Sequence, residues 1–267
     1  MKRLRILVLR RLVQFGIIGL FLSGSWWGVE WLKGNLSASE VLETVTLVDP
    51  FLALQSLVSG QVLGMVSLLG VLIVVLFYLV VGGRSYCSWV CPLNIVTDFA
   101  AWFRSYFKIK NNISVSKNTR YWLLFGVLAL SATSGSMVWE LVNPVSGFQR
   151  GILSGLSSAW AIGVGIFLLD VFIGKNLWCG HLCPTGAFYA QINTVGLLRV
   201  KAPKQAECDD CGDCYRVCPE PQILPPVLKG DHPLKVVGDS VCTNCGRCIE
   251  VCDRAVFQYG VRPFGKS

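Results

Sequence analysis

All 12 cysteines in the 267 residues fall in C-x2-C or C-x3-C spacings. Eight of them form two runs near the C-terminus. The first is Cys208, Cys211, Cys214 and Cys218, followed by Pro219; the second is Cys242, Cys245, Cys248 and Cys252. Both read C-x2-C-x2-C-x3-C, the spacing by which bacterial chains hold [4Fe–4S] cubanes. A cubane takes four thiolates at tetrahedral corners. Three come from one tight loop, eased by Gly212 or Gly246, and the x3 gap starts a helix that carries the last cysteine to the other loop. The runs therefore predict one cluster on Cys208, Cys211, Cys214 and Cys252, and a second on Cys242, Cys245, Cys248 and Cys218. A pair of zinc ribbons would use C-x2-C pairs and leave four of these eight cysteines idle.

The other four cysteines make a second constellation. Cys87-Ser-Trp-Val-Cys91-Pro92 recurs 92 residues later as Cys179-Gly-His-Leu-Cys183-Pro184. C-x3-C puts two thiols one turn apart on a helix face. Two such pairs suit a further Fe–S or other metal site, a redox-active dithiol, or buried cysteines acting as small hydrophobes. His181 lies inside the second motif where Trp89 stands in the first, so it is either a ligand or a hydrogen-bonded structural residue. Asp170 falls inside an apolar run. It reads as a proton acceptor for quinol oxidation or as a carboxylate that pairs with Lys175 or reaches the interface. Glu30 and Glu140 fall at helix ends, as interfacial residues.

The elements that must position these groups are membrane helices. The chain is 53% hydrophobic and only 15% charged, too apolar for a soluble domain of this size. Four spans are expected, at about 12–32, 63–81, 121–142 and 155–173. The first is too long for a signal-peptide core, and Trp26-Trp27 after Ser23-Gly24-Ser25 makes a poor cleavage context. Trp26, Trp27 and Trp31 mark its outer interface. Basic residues alternate along the loops. They are many before the first span (Lys2, Arg3, Arg5, Arg10, Arg11), few after it, many around Arg104 to Arg120 with Lys108 and Lys110, and one (Arg150) in the third loop. The positive-inside rule then puts both termini in the cytoplasm of a bacterial inner membrane, the reducing side that metal-bound thiols require.

Asp49-Pro50 with Gln55 and Asn143-Pro144 with Gln149 give each half a matching short outer helix with Pro in its first turn. The expected architecture is an all-α membrane protein. Two parallel two-helix repeats (1–92 and 121–184) flank a cytoplasmic basic loop (93–120). A cytoplasmic α+β domain with two [4Fe–4S] clusters (185–267) follows, its two runs joined by an extended Pro-rich linker, Pro219 to Val241 with Pro233. The formal charge of +8 reflects topology and offers no case for a nucleic-acid partner. No Walker loop, dinucleotide fingerprint or haem motif is present.

Taken together, the basic N-terminus, the four spans, Trp31 to Ser37, the paired C-x3-C-P motifs and the tandem cluster runs resemble the NapH family, within the wider NosR-like and CcoG-like membrane polyferredoxins. The resemblance implies quinol as substrate and a membrane-bound quinol dehydrogenase subunit. Electrons would pass toward a partner ferredoxin-type subunit and a periplasmic nitrate reductase. CcoG-like relatives imply the alternative of an accessory maturation role. Asp253 departs from the Pro that often follows the fourth cysteine.

Overall fold

The computed structural model describes residues 5–27, 32–41, 45–109, 115–154, 157–230 and 235–262. Lys2, Arg3, Glu30, Trp31, Lys110 and Pro233, with the side chains of Trp26, Trp27 and Arg150, lie outside what is described. The chain opens with helix α1 (Arg5–Trp27) and an antiparallel sheet of β1 (Leu32–Gly34), β2 (Ala38–Val41) and β3 (Val45–Val48). Helices α2 (Pro50–Val58), α3 (Met65–Val81), α4 (Leu93–Tyr106), α5 (Thr119–Ser134), α6 (Val138–Val142), α7 (Pro144–Ser154), α8 (Ser157–Leu168) and α9 (Pro184–Asn193) follow. The C-terminal part holds β4 (Leu198–Lys201), α10 (Asp213–Val217), α11 (Pro225–Leu228), α12 (Arg247–Val251) and β5 (Gln258–Val261). Two compact units share the chain: Met1–Val13, Phe77–Val90 and Tyr189–Ser267 form one, Gln14–Leu76 and Cys91–Phe188 the other.

In the second unit the two expected short helices form as α2 and α7. Asp49 Oδ1 accepts from the Phe51 amide at 2.7 Å and Asn143 Oδ1 from the Val145 amide at 3.0 Å, with Pro next in each case. Each cap satisfies an amide that the first turn leaves without a partner. The two copies clasp each other reciprocally. Buried Gln55 accepts from the Trp139 amide at 3.2 Å, and buried Gln149 from the Leu36 amide at 2.9 Å. Glu140 is part of a hydrogen-bonded cluster with Ser37, Asn143 and Ser146 rather than an isolated interfacial charge.

Among the described residues, one helix, over Arg5–Ser23, is long and apolar enough to cross a bilayer; Met65–Val81 and Trp160–Ile173 are shorter apolar helices. Three expectations need correction. The stretch 121–142 is broken, because α5 stops at Ser134 and Gly135 turns the chain with φ +64, a conformation glycine adopts without Cβ strain. The 93–120 stretch, expected as a loop, begins with 14 helical residues in α4. The Pro-rich linker is compact rather than extended. Prolines start a 3-10 turn at Pro221–Ile223 and helix α11, where Ile223, Leu224, Val227 and Leu228 pack into a core with Val200, Val237 and Phe257.

The first unit is organised by that core. Strands β4 and β5 pair antiparallel, Leu198 opposite Val261 and Lys201 opposite Gln258, and α10 packs on α12. The N-terminus of α1 is fixed to it as well: the Glu250 carboxylate on α12 accepts from the Ile6 and Leu7 amides at 2.5 and 3.1 Å. An anion there answers both the unpaired first-turn amides and the positive helix end.

Candidate iron–sulfur centre

The two cysteine runs fold alike. Asp210 and Asn244, each just before the second cysteine, have φ of +55 and +48. Gly212 and Gly246, just after it, have φ of +77 and +71 and lead into α10 and α12. Asp, Asn and Gly are the residues that enter this left-handed region at least cost, so each loop curls back on itself. The thiol environments then cross between the runs. The charges felt by Cys214 come from Cys208, Cys211 and Cys252; those felt by Cys218 come from Cys245, Cys242 and Glu220. Cys218, Cys242, Cys245 and Cys248 also line one small cavity. These are the four cysteines expected to hold the second cluster, Cys218 of the first run among them.

The donors fit a cubane. Burial pushes the thiols of Cys214 and Cys242 up to about 11 and that of Cys218 up to about 12, so these groups ionise at neutral pH only against a strong positive charge such as iron. Among the described residues no three His, Cys, Asp or Glu side chains converge on a single-ion site. A cubane asks instead for thiolates spread around its corners.

The two loops differ in their surroundings. The first is at the surface: Cys211 is exposed, and Asp209, Asp210 and Asp213 make exposed ion pairs with Arg254, Lys229 and Arg216. The second is held at five consecutive carbonyls. Asn193 Nδ2 donates to Ser240 and Cys242 at 2.7 and 2.9 Å, Arg84 to Val241 at 2.6 Å, and Ser88 Oγ to Thr243 at 2.7 Å. The carbonyl of Asn244 accepts from Trp89 at 3.1 Å and Tyr259 at 3.0 Å. Arg84 further pairs with Glu220 at 3.2 Å, both side chains almost fully buried. Buried Arg199 lies near enough to favour charge on Cys242, as does Arg84.

The C-x3-C-P motifs fold as π turns, Tyr86–Val90 and Trp178–Leu182, the latter leading directly into α9 at Pro184. A π turn leaves carbonyls without their i+4 partner, and buried arginines supply donors. Arg10 Nε donates to the Ser88 carbonyl at 3.0 Å, and Arg120 to the Gly180 carbonyl at 3.2 Å. Ser88 and Gly180 each follow the first cysteine of their motif, so the device is duplicated. Arg104 does the same for a third π turn, Leu169–Ile173, through the carbonyls of Asp170 and Val171. Asp170 itself is buried and accepts from the Trp178 amide at 3.0 Å, which makes it a brace for the turn ahead of Cys179. His181 is half-buried within that turn. Cys87 belongs to the first unit, and Cys91, Cys179 and Cys183 to the second.

Sequence reasoning read Arg10 and Arg120 only as topogenic charge. The repeated Arg-x4-Phe-Gly at Arg10 to Gly16 and Arg120 to Gly126 was the available signal for their duplicated role. Nothing local marks Arg84, Asn193 or Tyr259.

Comparison with known proteins bears on the same residues. A family model described as a 4Fe-4S binding domain matches twice, at residues 63–110 and 156–204, one copy over each C-x3-C-P motif. A 4Fe-4S dicluster domain model matches residues 199–253, over both cysteine runs. The ferredoxin-type protein NapH of Escherichia coli K12 is 43% identical over 259 residues, covering 97% of this chain and 90% of its own length. NapH of Haemophilus influenzae is 44% identical over 260 residues, with the same coverage. This chain belongs to the NapH family. The methylamine utilization ferredoxin-type protein MauN of Methylorubrum extorquens is also similar, 48% identical over 222 residues, 83% of this chain and 77% of its own. No solved structure matches. Like its NapH relatives, the chain is a ferredoxin-type iron–sulfur electron-transfer protein.

Proposed function

We propose that the chain is a subunit of the bacterial inner membrane that oxidises quinol and sends electrons toward a partner ferredoxin-type subunit and a periplasmic nitrate reductase. When bound, two [4Fe–4S] clusters supply the one-electron chemistry. Cys208, Cys211, Cys214 and Cys252 would hold one, and Cys242, Cys245, Cys248 and Cys218 the other. The observation that carries the reading is the clamp on the second loop. Five carbonyls in a row are engaged, three of them by Arg84, Ser88 and Trp89 of the first C-x3-C-P region. A redox loop tied this tightly keeps its geometry when its charge changes. The exposed first loop, with Cys211 at the surface, suits electron exit to a docked partner.

Membrane insertion is supported by the apolar side chains that α1, α3, α5 and α8 turn outward, among them Leu12, Phe15, Leu69, Leu72, Trp122, Phe125, Trp160 and Val164; a soluble fold would bury such faces. On this reading these four helices are the spans, in two parallel repeats. The shorter ones would be accommodated by local thinning of the bilayer. The contact of Glu250 with the start of α1 supports an N-terminus on the same side as the cluster domain, both cytoplasmic. Cys87, Cys91, Cys179 and Cys183 would serve a further redox or Fe–S centre, a role favoured by the doubled 4Fe-4S binding match.

In cells lacking this chain, quinol-dependent turnover of the periplasmic reductase should fall while the reductase remains fully assembled. A reductase found without its cofactors would instead establish an accessory maturation role.

A further inference from the structure

We propose that Arg199 is the buried counter-cation of the cluster on Cys242, Cys245, Cys248 and Cys218, and that it holds the reduction potential of that cluster up. The inference rests on the two-cluster assignment above and is independent of which molecule donates the electrons. Arg199 lies on β4 with 0% exposure. Its guanidinium donates to three carbonyls, those of Gly196 at 3.3 Å, Asp239 at 3.1 Å and Asn193. Among the described residues no carboxylate forms an ion pair with it. Carbonyls offer dipoles rather than charge, and a buried cation without a counter-charge is costly. Buried Arg84 shows the contrast, because Glu220 neutralises it at 3.2 Å.

The fold ties this cation to the second cysteine loop. The Asp239 carbonyl accepts both from Arg199 and, at 3.2 Å, from the Cys242 amide. Asn193, whose carbonyl takes another Arg199 bond, donates through Nδ2 to the carbonyls of Ser240 and Cys242 at 2.7 and 2.9 Å. Arg199 is thus joined to the backbone on both sides of Cys242. Burial disfavours its charge, and the Cys242 thiolate is the strongest influence restoring it, against the opposing charge of Arg262. The Asp239 carboxylate is exposed, with Oδ1 accepting from the Val241 amide at 3.0 Å, so solvent weakens its hold on Arg199. The anion that answers Arg199 is therefore the thiolate set of the second loop. Reduction adds one further negative charge to that set, and a fixed cation in a dry site favours the more negative state, which moves the midpoint up. The charged neighbours of the first loop are exposed ion pairs instead, so the effect belongs to one cluster. A purely structural arginine would fix the carbonyls and leave the midpoint alone.

The test is a potentiometric titration of the full chain in detergent, followed by electron paramagnetic resonance, with the second cluster identified as the signal missing from Cys218→Ser. Arg199→Gln should lower the midpoint of that cluster by roughly tenfold in its reduction equilibrium, about 59 mV for one electron, and leave the first cluster in place. Arg199→Lys keeps the charge without the planar fork and should retain most of the midpoint. Asp239→Asn, an exposed change that keeps an oxygen for the Val241 amide, should move the midpoint upward by a smaller step. It reads the same charge even where Arg199→Gln fails to hold its clusters. A second-cluster midpoint unmoved in Arg199→Gln, one that falls as far in Arg199→Lys, or one that Asp239→Asn leaves unchanged or lowers would each overturn the role of Arg199. Wild-type protein with no signal that Cys218→Ser removes would overturn the cluster assignment, and this inference with it.

Discussion

Arg84 offers the sharpest test of how the second cluster loop is held. Its guanidinium bridges the Glu220 carboxylate and the Val241 carbonyl, at 3.2 and 2.6 Å, with side-chain exposure of 2% for Arg84 and 3% for Glu220. Arg84→Gln removes a buried counter-charge from the Glu220 carboxylate, a change that costs about 3–5 kcal/mol. At a urea slope of about 2 kcal/mol per M, that moves the midpoint for loss of the Fe–S absorbance down by about 2 M. Arg84→Gln combined with Glu220→Gln removes both charges and should regain about 1–3 kcal/mol relative to the single arginine variant. The assay is a urea titration of the detergent-solubilised full chain, read by visible absorbance and, independently, by tryptophan fluorescence. Single and double variants that add within about 0.5 kcal/mol would show the pair to be uncoupled and refute the reasoning.

Other substitutions probe separate parts of the account. Cys218→Ser should damage the centre held by Cys242, Cys245 and Cys248 and spare the one held by Cys208; electron paramagnetic resonance of the dithionite-reduced protein reads which signal is lost, and loss of the Cys208 centre instead would disprove the cross-ligation. Gly246→Ala should cost more than Gly212→Ala in thermal stability. Both positions have positive φ, worth about 1–2 kcal/mol of strain, but a Cβ at Gly246 would meet Tyr259 Oη at 2.5 Å and Ile6 Cγ2 at 2.9 Å while one at Gly212 meets open space; equal losses would contradict this. Arg120→Met should strand the Gly180 carbonyl in the π turn and destabilise by about 1–3 kcal/mol, with Arg120→Lys recovering part of it. A wild-type unfolding midpoint in Arg120→Met would mean that the turn holds itself.

Much of the site was legible because cubane ligation imposes spacing on the sequence itself. The eight C-terminal cysteines, the glycine after each second cysteine and the repeated C-x3-C-P needed no tertiary information. Asp49-Pro50 and Asn143-Pro144 were legible for the same reason, since a cap and its helix are neighbours in the chain. What stayed hidden depends on distant partners. The π turns have no local signature, and an arginine at a helix start looks like membrane topology until the carbonyl it serves is known. The basic character of 93–120 masked α4, whose Arg104 reaches into the fold toward Asp170 and Val171 rather than toward solvent. Prolines in the 219–241 linker suggested an extended path, yet Ile223, Leu224, Val227 and Leu228 had an apolar core to fill. The break at Gly135 was visible only as one glycine in a polar stretch.

The central claim is that quinol reduces this protein. It is tested most directly by anaerobic mixing of the solubilised full chain with a reduced menaquinol analogue, followed by Fe–S absorbance and electron paramagnetic resonance. The account predicts rapid bleaching and the appearance of reduced-cluster signals, both blocked by a quinone-site inhibitor. Clusters that dithionite reduces but quinol does not, even with the partner ferredoxin present, would contradict it.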